Sequence, residues 1–566
     1  MTKVANPVLR GFHPDPCLCQ AHGKYYLATS TFQWVPAVSI YESDDLIEWK
    51  PLGGALPNLD LRGVPDSAGV WAPDLSYDEA SDLFWLTYTI AYQIDGIFKD
   101  VRNYVVTAHD PRGPWSEPVF VNASGFDPGF FHENGRHYVI NPQWDPRPVD
   151  GHHKFNGLVM QEFSLEAGLI GEARVVLGNS DAVNWLREGP HVLKHDDWYY
   201  IACAEGGTGR RHRIRMARSH ELWGPYEMCP EPLVCAWMSD SPLRRSGHGN
   251  FAQAPDGSWY VAFLCSRYLP ERDDSERVFD EHESGCSPLG RETGMAPVVW
   301  QDGWPRLANG GIAAPETFEV AGDMPTPSTS FAYETNFAAD EDLWKSGWLC
   351  SRRISGGWWN AGSEGLTLRG GDSPSSAYER SELVQRARSH AWRAECSMQF
   401  EPSHYNQTAG LICEYDSRAF HYLFVGWDEV RECRVIQVLS CDKGAFSMPL
   451  GDAGVEVPDA IESIRLGVSV DGYDLVFSYA FDDGEWRCVA GSDGSLLVFD
   501  ASIMSDEHLG FGAYTGTVVG LTCVDMWDKT ATATFGSFWW GGGEEGNLMA
   551  NVGLSLVRQT GEVIYG

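Results

Sequence analysis

The stretch GFHPDPCLCQAHGKYYLATSTF, residues 11–32, sets the pattern on which the fold prediction rests. It places Asp15 between two prolines, followed by a short apolar run, a polar turn and an aromatic strand that begins at Tyr25. The same order of features recurs four times: WAPDLSYDEASDLFWLTYT carries Asp74, GFDPGFFHENGRHYVINPQW carries Asp127, REGPHVLKHDDWYYIACAEG carries Glu188, and SGHGNFAQAPDGSWYVAFLCS carries His248. The strands begin near residues 25, 85, 138, 199 and 259, so the repeat is 53 to 61 residues long.

A repeat of this length, with a polar turn and at least two strands per unit, is typical of a propeller blade. Five units therefore predict a five-bladed β-propeller. Equivalent positions of radial blades lie on one ring, so we expect Asp15, Asp74, Asp127, Glu188 and His248 to converge at one mouth of the channel. Converging carboxylates raise some of one another's pKa values, as acid–base chemistry requires. A single Asp before Pro is most often a turn residue, but five ionisable residues in register favour a site.

The rest of the chain predicts a second all-β unit. Residues 1–315 hold the repeats, and the Gly-, Pro- and Thr-rich segment 316–327 is predicted to be a linker that runs over the surface. Residues 328–540 show short strands with frequent turn signals, which predict a two-sheet β-sandwich. Residues 541–566 form a C-terminal extension, either flexible or an added edge strand; the sequence leaves both open.

Composition limits the partners and the compartment. The 566 residues carry a formal net charge of −36, which repels nucleic acid and anionic membranes and favours a small neutral substrate. Fourteen cysteines are scattered without a CxxC or a Cys/His ligand spacing, as expected for free thiols in a reducing compartment. The N-terminus resembles no signal peptide, and no run of 18 apolar residues occurs. The sequence therefore predicts a cytoplasmic protein.

The motifs HPDP, WAPD, SGFDP and REGP together resemble glycoside hydrolase family 43, in the branch of β-xylosidases and α-L-arabinofuranosidases with a C-terminal concanavalin-like sandwich. The similarity continues through the segment Phe98-Lys99-Asp100, through SPLGRET and, more weakly, through GAYTGTVVG, and it covers nearly the whole chain before residue 541. It implies an inverting, exo-acting hydrolase that releases xylose from the non-reducing ends of xylo-oligosaccharides. By position, Asp15 takes the place of the general base, Glu188 that of the general acid, and Asp127 that of a third carboxylate that orients the acid and tunes its pKa.

The resemblance also implies binding residues. Arg291 matches an arginine that reaches the sugar and the carboxylates, His248 matches an axial histidine, and Tyr514 matches an aromatic residue that reaches from the sandwich to cap the pocket. Aromatic residues beside the ring positions are expected to stack on a pentose, although each could equally pack within a blade. They are Phe32, Trp34, Trp71, Phe126 and Trp144.

No cofactor is expected to be required. In some family members a divalent cation such as Ca²⁺ sits beside the axial histidine, and we expect such an ion near His248 to be optional here. A lone histidine among carboxylates is more often a hydrogen-bonded core residue than a ligand. Expected partners are xylo-oligosaccharides or arabinosyl glycosides, with neither nucleic acid nor membrane, and relatives imply a homo-oligomer, a dimer or a tetramer.

Three alternatives remain beside the β-xylosidase. An α-L-arabinofuranosidase, or an enzyme with both activities, fits the same motifs because the two sugars can present similar hydroxyls. A non-catalytic carbohydrate-binding propeller is disfavoured, since binding a neutral sugar does not require three carboxylates together. A retaining fructan-cleaving propeller needs an Asp-Pro-Asn type of motif that this chain lacks. Two departures from the family pattern, Arg187 and Gly129, flank carboxylates and bear on substrate preference and pH optimum.

Overall fold

The computed structural model describes residues 1–147, 155–269, 285–322, 328–452, 454–510 and 512–543. The first part of the chain forms five antiparallel blades, which confirms the predicted propeller. Strand β1 (Thr2–Ala5) precedes them. The first blade contains β2 (Cys17–Ala21), β3 (Lys24–Thr29), β5 (Ala37–Ser43) and β6 (Lys50–Leu56), and β4 (Trp34–Val35) leaves it between β3 and β5.

The other blades each repeat a meander of four strands. The second contains β7 (Gly69–Asp78), β8 (Leu83–Gln93), β9 (Asp100–Ala108) and β10 (Val119–Asn122). The third contains β11 (Gly129–Glu133), β12 (Arg136–Trp144), β13 (Phe155–Ser164) and β14 (Gly168–Leu177). After a 3₁₀ turn (Val183–Trp185), the fourth contains β15 (Arg187–His195), β16 (Trp198–Glu205), β17 (Arg213–Ser219) and β18 (Glu227–Met228), with β19 (Val234–Cys235) also paired to β17. The fifth contains β20 (Leu243–Gln253), β21 (Trp259–Arg267), β22 (Glu292–Gln301) and β23 (Trp304–Leu307).

Local sequence explains the blades. Two-residue turns with left-handed backbone join β2 to β3 at His22-Gly23 and β11 to β12 at Asn134-Gly135, as the right-handed twist of a hairpin favours. Most residues of β3 and β8 are buried, because neighbouring blades cover both faces of each sheet. The innermost strands β2, β7, β11, β15 and β20 contact one another in ring order around the axis. The five repeat residues therefore lie near one axis.

Contacts between the two ends of the propeller segment close the ring. The backbone N–H groups of Val8 and Leu9 donate to the carbonyl oxygen of Thr293 in β22, at 2.8 and 3.2 Å. Strand β24 (Thr317–Val320) pairs with β1. Residues 317–320 thus belong to the propeller, and the prediction of a linker over them is wrong, because pairing with the N-terminus supplies an ordered partner. Residues 323–327 of the predicted linker lie outside the described residues.

The second unit is a two-sheet sandwich, as predicted. Its strands are β25 (Phe331–Thr335), β26 (Cys350–Ser351), β27 (Trp359–Gly362), β28 (Gly365–Arg369), β29 (Ser381–Arg386), β30 (Ala391–Gln399), β31 (Gln407–Asp416), β32 (Ala419–Asp428), β33 (Cys433–Asp442), β34 (Ala445–Ser447), β35 (Val455–Val457), β36 (Ile464–Asp471), β37 (Asp474–Phe481), β38 (Arg487–Cys488), β39 (Phe499–Asp500), β40 (Val518–Asp525) and β41 (Thr532–Gly542). One sheet has the order β27-β28-β41-β30-β36-β37-β38, with β25 on β41 and β39 on β37. The other has the order β29-β40-β31-β32-β33-β34, with β35 on β33.

Short helices and the chain end complete the sandwich. A 3₁₀ turn (Ala501–Ile503) and helix α1 (Asp506–Leu509) precede β40. No helix among the described segments has the length or apolar character of a membrane span. The predicted extension begins inside β41, where Gly541 and Gly542 pair with Ala332 and Phe331, and residues 544–566 lie outside the described residues. None of the fourteen cysteines, all of which lie in the described segments, forms a disulfide bond.

The propeller and the sandwich share one apolar core. Strand β4 pairs with β26, and Arg386 of β29 donates a hydrogen bond of 3.0 Å to Ser39 of β5. Buried residues of the first two blades and of both sandwich sheets form a single hydrophobic cluster. Burial on this scale holds the sandwich loops in a fixed position against the propeller.

Candidate active site

A small cavity lies at the propeller axis, where the sandwich meets it. Its volume is about 190 Å³, below the roughly 300–1,000 Å³ of pockets for drug-sized ligands. Polar and aromatic residues line it together, and every predicted site residue except Trp34 and Asp74 is among them. The lining residues are Asp15, Phe32, Trp71, Lys99, Phe126, Asp127, Trp144, Phe155, Leu186, Glu188, Gly207, Thr208, His248, Arg291 and Tyr514.

Asp15 is held as an ionised carboxylate. It directly precedes β2 with a left-handed φ of 55°, a strained backbone of the kind that clusters at functional sites. Its Oδ1 accepts a hydrogen bond from Arg291 Nη1 at 3.0 Å, and its Oδ2 accepts one from Ser30 Oγ at 2.6 Å. Burial alone would raise the Asp15 pKa, but Arg291, His248 and the Ser30 hydroxyl outweigh it and lower the pKa. Asp15 can therefore act as a base at neutral pH.

Glu188 is suited to hold a proton. It is the second residue of β15 and is 8% exposed. Burial and the negative charge of Asp15 raise the Glu188 pKa to about 7, while Lys99 and Arg291 oppose that rise. The ionised Asp15 and the protonated Glu188 are thus two carboxyl groups whose surroundings separate their pKa values, as acid–base catalysis requires.

Asp127 lies beside Glu188. Its backbone is left-handed, with φ 49°, and its N–H donates to Thr89 Oγ1 at 3.1 Å. Its carboxylate accepts the backbone N–H of Gly189, the residue that follows Glu188. Burial and the charges of Glu188 and Asp15 raise the Asp127 pKa well above its usual value. Since three buried carboxyls repel one another, Asp127 and Glu188 hold at least one proton between them at neutral pH.

Aromatic rings form the walls. Trp71 meets Phe126 edge to face with ring centroids 5.6 Å apart, and lies 6.4 Å from Phe32. The Trp71 indole N–H donates to the carbonyl oxygen of Ser67 at 2.9 Å, which fixes the ring. Trp144 continues the wall through an edge contact with Phe155 at 5.2 Å. Such a wall can stack on the apolar faces of a sugar ring.

Trp34 is the one predicted wall residue that the structure places elsewhere. It is fully buried in β4, which pairs with β26 of the sandwich, and its ring belongs to the core shared by the two units. The prediction of a substrate contact for Trp34 is wrong. The physical reason is that β4 turns away from the blade to reach the sandwich, so Phe32 and Trp34 end in different surroundings.

Lys99 is a site residue that the sequence analysis did not select. It lies between β8 and β9, and its Nζ is 5.1, 5.2 and 5.5 Å from the ring centroids of Trp144, Trp71 and Phe126. Cations over ring faces are attracted by the ring quadrupole. Because Lys99 lies outside the repeated position, the repeat gave no signal for it. The similarity of the segment Phe98-Lys99-Asp100 to the family could have identified it.

Tyr514 brings the sandwich into the cavity. Its ring stacks on Phe32 with centroids 6.1 Å apart and meets Trp71 edge to face at 5.9 Å. Its N–H donates to Ser67 Oγ, and its carbonyl oxygen accepts from Arg291 Nη2, each at 3.0 Å. Both backbone partners belong to the propeller. A residue of the sandwich therefore forms part of the cavity wall.

The loop that carries Tyr514 is anchored on both sides. Thr515 N–H donates to the Tyr415 hydroxyl at 2.8 Å, and that hydroxyl donates to Asp506 of α1. Asp506 in turn forms an ion pair with Arg245 of the propeller at 2.7 Å. A Cβ atom on Gly516 would lie 2.6 Å from the carbonyl oxygen of Leu289, so only glycine allows this approach.

Asp74 does not line the cavity, so the prediction that it converges with the other repeat residues at the mouth is wrong. It is 3% exposed and lies within β7, where the pairing with β8 is irregular between Trp71 and Asp74. This irregularity changes the side-chain direction along the strand. Asp74 instead faces other buried polar groups near the axis.

His248 lies in the cavity lining beside Asp15. Its Nδ1 is 3.8 Å from Asp15 Oδ1, and burial lowers the His248 pKa to about 4, so the ring is neutral at pH 7. Ca²⁺ takes six to eight oxygen ligands. The neighbouring carboxylate, Asp15, is already bonded to Arg291 and Ser30. These side chains do not fit a Ca²⁺ site whose ligands come from the protein, and we derive no catalytic step through a metal.

The two departures from the family pattern have structural explanations. Arg187 is buried and points away from the cavity, where it bonds to the carbonyl oxygen of Gly178 and to Asp181. A Cβ atom on Gly129 would lie 2.3 Å from the carbonyl oxygen of Pro190, so glycine allows β11 to approach β15 closely. Neither residue lines the cavity.

Sequence comparisons agree with this architecture. The profile described as "Glycosyl hydrolases family 43" matches residues 4–305. The profile described as "Beta xylosidase C-terminal Concanavalin A-like domain" matches residues 335–540. The two matches coincide with the propeller and with the sandwich.

Individual relatives are similar over nearly their whole length. A protein named "Beta-xylosidase" from Bacillus subtilis (strain 168) is 35% identical over 550 residues, which cover 95% of this chain and 99% of the relative. "Xylosidase/arabinosidase 43B" from Humicola insolens is 36% identical over 560 residues, 95% and 97% of the two chains. The crystal structure of xylan β-1,4-xylosidase from Bacillus halodurans C-125 superposes with a TM-score of 0.86 at 32% identity, covering 95% of this chain and all of that one.

Proposed function

The chain belongs to glycoside hydrolase family 43, and from that premise we propose that it is an inverting, exo-acting β-xylosidase. It releases xylose from the non-reducing ends of xylo-oligosaccharides. One observation carries the proposal: a single small cavity contains an ionised carboxylate, Asp15, and a carboxyl group, Glu188, whose pKa is raised to about 7.

The reaction follows from these two states. Asp15 takes a proton from a water molecule, and the oxygen of that water forms a bond to the anomeric carbon on the face opposite the leaving group. Glu188 gives its proton to the glycosidic oxygen as the bond from that oxygen to the anomeric carbon breaks. Proton exchange with solvent then restores both carboxyl groups. Arg291 keeps Asp15 ionised between turnovers.

Asp127 is proposed to orient the acid. Its carboxylate accepts the N–H of Gly189 and so holds the backbone that carries Glu188. Its proximity also disfavours a second negative charge, which helps to keep a proton on the pair. The aromatic wall of Phe32, Trp71 and Phe126 excludes water from the faces of the bound sugar.

The exo action rests on the closed end of the cavity. Tyr514 covers the side that faces the sandwich, stacking on Phe32 and bonding to Arg291 through its backbone. A polysaccharide chain cannot pass through a cavity of about 190 Å³ that ends at a ring. Only a terminal sugar fits, and the rest of the oligosaccharide leaves through the open side.

A second activity, α-L-arabinofuranosidase, is the alternative. One relative named xylosidase/arabinosidase is 36% identical over 95% of this chain, which supports a pocket that accepts both sugars. Hydrolysis of 4-nitrophenyl β-D-xylopyranoside and 4-nitrophenyl α-L-arabinofuranoside by the purified protein separates the two. A higher kcat/KM on the xylopyranoside is expected. A higher value on the arabinofuranoside would make α-L-arabinofuranosidase the main activity.

Stereochemistry tests the mechanism. Proton NMR during hydrolysis of xylobiose should show α-xylose before mutarotation produces the β-anomer, because the water attacks from the face opposite the leaving group. Initial formation of β-xylose would mean a covalent intermediate and a retaining enzyme, contrary to the proposal.

Further properties of the enzyme are also proposed. The enzyme requires no metal, since Asp15, Glu188 and Arg291 supply the acid–base chemistry. It acts in the cytoplasm, which suits fourteen cysteines that form no disulfide bond. It forms a homo-oligomer, a dimer or a tetramer, and binds neither nucleic acid nor membrane, in keeping with a net charge of −36. Light scattering coupled to gel filtration tests the oligomeric state.

A further inference from the structure

Asp74 is the repeat carboxylate that does not reach the cavity. It contacts three buried neighbours near the propeller axis. Its Oδ2 accepts the backbone N–H of Phe130 at 2.8 Å. Its Oδ1 lies 3.0 Å from His191 Nδ1 and 3.4 Å from the Cys17 thiol. Asp74 is 3% exposed and both side-chain neighbours are buried, so water cannot replace these contacts.

The three neighbours share one sequence relationship. Each follows a proposed catalytic carboxyl residue by two or three positions: Cys17 follows Asp15, Phe130 follows Asp127, and His191 follows Glu188. Because each pair lies on the same innermost strand or at its start, a shift of the neighbour moves the carboxyl group as well. One carboxylate of the second blade thereby touches the segments that carry all three catalytic groups.

The network also reaches the fifth blade. Asn250 follows His248 by two positions, and its Nδ2 donates to Cys17 Sγ at 3.0 Å. The N–H of Leu75 donates to the same sulfur at 3.1 Å. These buried polar groups therefore connect all five blades. Three of the connections, those to Phe130, His191 and Cys17, meet at the carboxylate of Asp74.

We propose that Asp74 is a positioning residue that fixes the three catalytic carboxyl groups relative to one another. The inference rests on the proposed hydrolase function, and it adds a residue that touches no substrate. A buried carboxylate is stable only when hydrogen bonds satisfy it, so the bonds to Phe130, His191 and Cys17 favour one arrangement of their segments. A displacement of about 1 Å in a catalytic group can reduce the rate about 100-fold.

A metal site is the competing interpretation of the same atoms. One ligand atom each from Cys17, Asp74 and His191 lies within 4.8 Å of the others. Cys17 Sγ, however, already accepts two N–H donors, and Asp74 Oδ2 accepts the N–H of Phe130. No side-chain atom of Asp74 or His191 is among the buried nitrogen and oxygen atoms that lack a hydrogen-bond partner. Hydrogen bonding thus accounts for the cluster.

The test compares Asp74→Ala with Asp78→Ala. Asp78 ends the same strand, is 5% exposed and accepts a hydrogen bond from Ser81, but it lies outside the network. For Asp74→Ala we expect kcat on xylobiose to fall about 100-fold with KM within about twofold, and kcat to be unchanged in Asp78→Ala. Asp74→Asn keeps an oxygen that can accept the N–H of Phe130, so its kcat should be at least about tenfold higher than that of Asp74→Ala. An Asp74→Ala enzyme that folds and keeps the wild-type kcat would overturn the proposal.

If Asp74→Ala does not fold, variants that each remove one contact of Asp74 test the positioning role instead. Cys17→Ala loosens the segment of the base, so it should reduce kcat equally on xylobiose and on an activated aryl xyloside. His191→Phe loosens the segment of the acid, so it should reduce kcat more on xylobiose, whose leaving group needs the proton. Wild-type kcat in both variants would refute the proposal. One equivalent of bound zinc in the purified protein, lost in Cys17→Ala, would refute it in favour of the metal site.

Crystal structures keep this test separate from the proposed function. If the wild-type protein hydrolyses no xyloside, the proposed function fails, but the positioning role can still be measured. The carboxyl groups of Asp127 and Glu188 should move by about 1 Å in Asp74→Ala or in His191→Phe, and stay in place in Asp78→Ala. Unmoved carboxyl groups in the Asp74 and His191 variants would overturn the positioning role whatever the substrate is.

Discussion

Arg291 Nη2 donates a hydrogen bond of 3.0 Å to the backbone carbonyl oxygen of Tyr514, which joins the propeller to the sandwich at the cavity. The other terminal nitrogen of the same guanidinium donates to Asp15 at 3.0 Å. A single side chain thus sets the charge of the proposed base and the position of the residue that covers it. The second domain is part of the site, because the cavity wall is incomplete without Tyr514.

Removal of the Tyr514 ring should open the cavity. Tyr514→Ala is expected to raise KM for xylobiose about tenfold, since a stacking ring contributes on the order of 1–2 kcal/mol to binding. The melting temperature should change little, because the ring lies at the cavity and its backbone contacts remain. Tyr405→Ala is the control, since Tyr405 is a 60% exposed ring of the same domain outside the cavity lining. Normal kinetics with a lowered melting temperature would contradict the lid role.

The base and the acid should respond differently to substitution. Asp15→Ala is expected to reduce turnover of every glycoside at least about 1,000-fold, because no other group activates the water. Glu188→Ala should reduce turnover of xylobiose far more than that of an aryl xyloside with a good leaving group, which needs little protonation. Steady-state kinetics on the two substrates measure the difference. Equal losses in Glu188→Ala would show that Glu188 is not the acid.

The pH profile should have its alkaline limb near pH 7. Glu188 acts when protonated and its pKa is about 7, so kcat/KM should fall about tenfold per pH unit above that value. Asp15 acts when ionised, and its lowered pKa keeps it ionised through mildly acidic pH. Glu188 is influenced by Asp15, Lys99 and Arg291. In Glu188→Ala, assayed on an aryl xyloside, the alkaline limb should disappear. A limb that persists would assign it to another group.

Metal removal should leave most activity. The side chains beside His248 do not form an oxygen-rich cation site, and Asp15, Glu188 and Arg291 complete the acid–base chemistry. Activity after exhaustive chelation and dialysis is therefore expected to remain within about twofold of the untreated enzyme, compared with a sample dialysed without chelator. A loss that added calcium or magnesium reverses would establish a metal requirement.

Salt should stabilise the protein. At a net charge of −36, the negative side chains of the folded protein repel one another. Dissolved ions screen this repulsion beyond a Debye length of about 10 Å at 0.1 M. The melting temperature in NaCl should therefore rise between low and moderate ionic strength at pH 7. The rise should be smaller at pH 5, where partial protonation lowers the charge. A melting temperature that falls with NaCl would mean that attractive ion pairs dominate.

Much of the architecture could be predicted because its determinants are local. The period of the repeat, the polar turns and the aromatic strands depend only on neighbouring residues, so five blades and a sandwich follow from the sequence. Radial symmetry then brings Asp15, Asp127 and Glu188 to one axis. The resemblance to a known family added Arg291 and Tyr514, which no periodicity indicates.

The sequence by itself therefore determined the two folds, through local pattern and repeat symmetry, and it placed the candidate carboxyl residues near one axis. The family resemblance selected Asp15, Asp127 and Glu188 among them. Only the tertiary structure decided which side chains share the cavity. Trp34 packs against the sandwich, Lys99 enters from an irregular connection, and Asp74 turns away at an irregularity in β7. These outcomes depend on contacts between residues far apart in the chain, and strand alternation fixes only the face on which a side chain lies, not the partner that covers it.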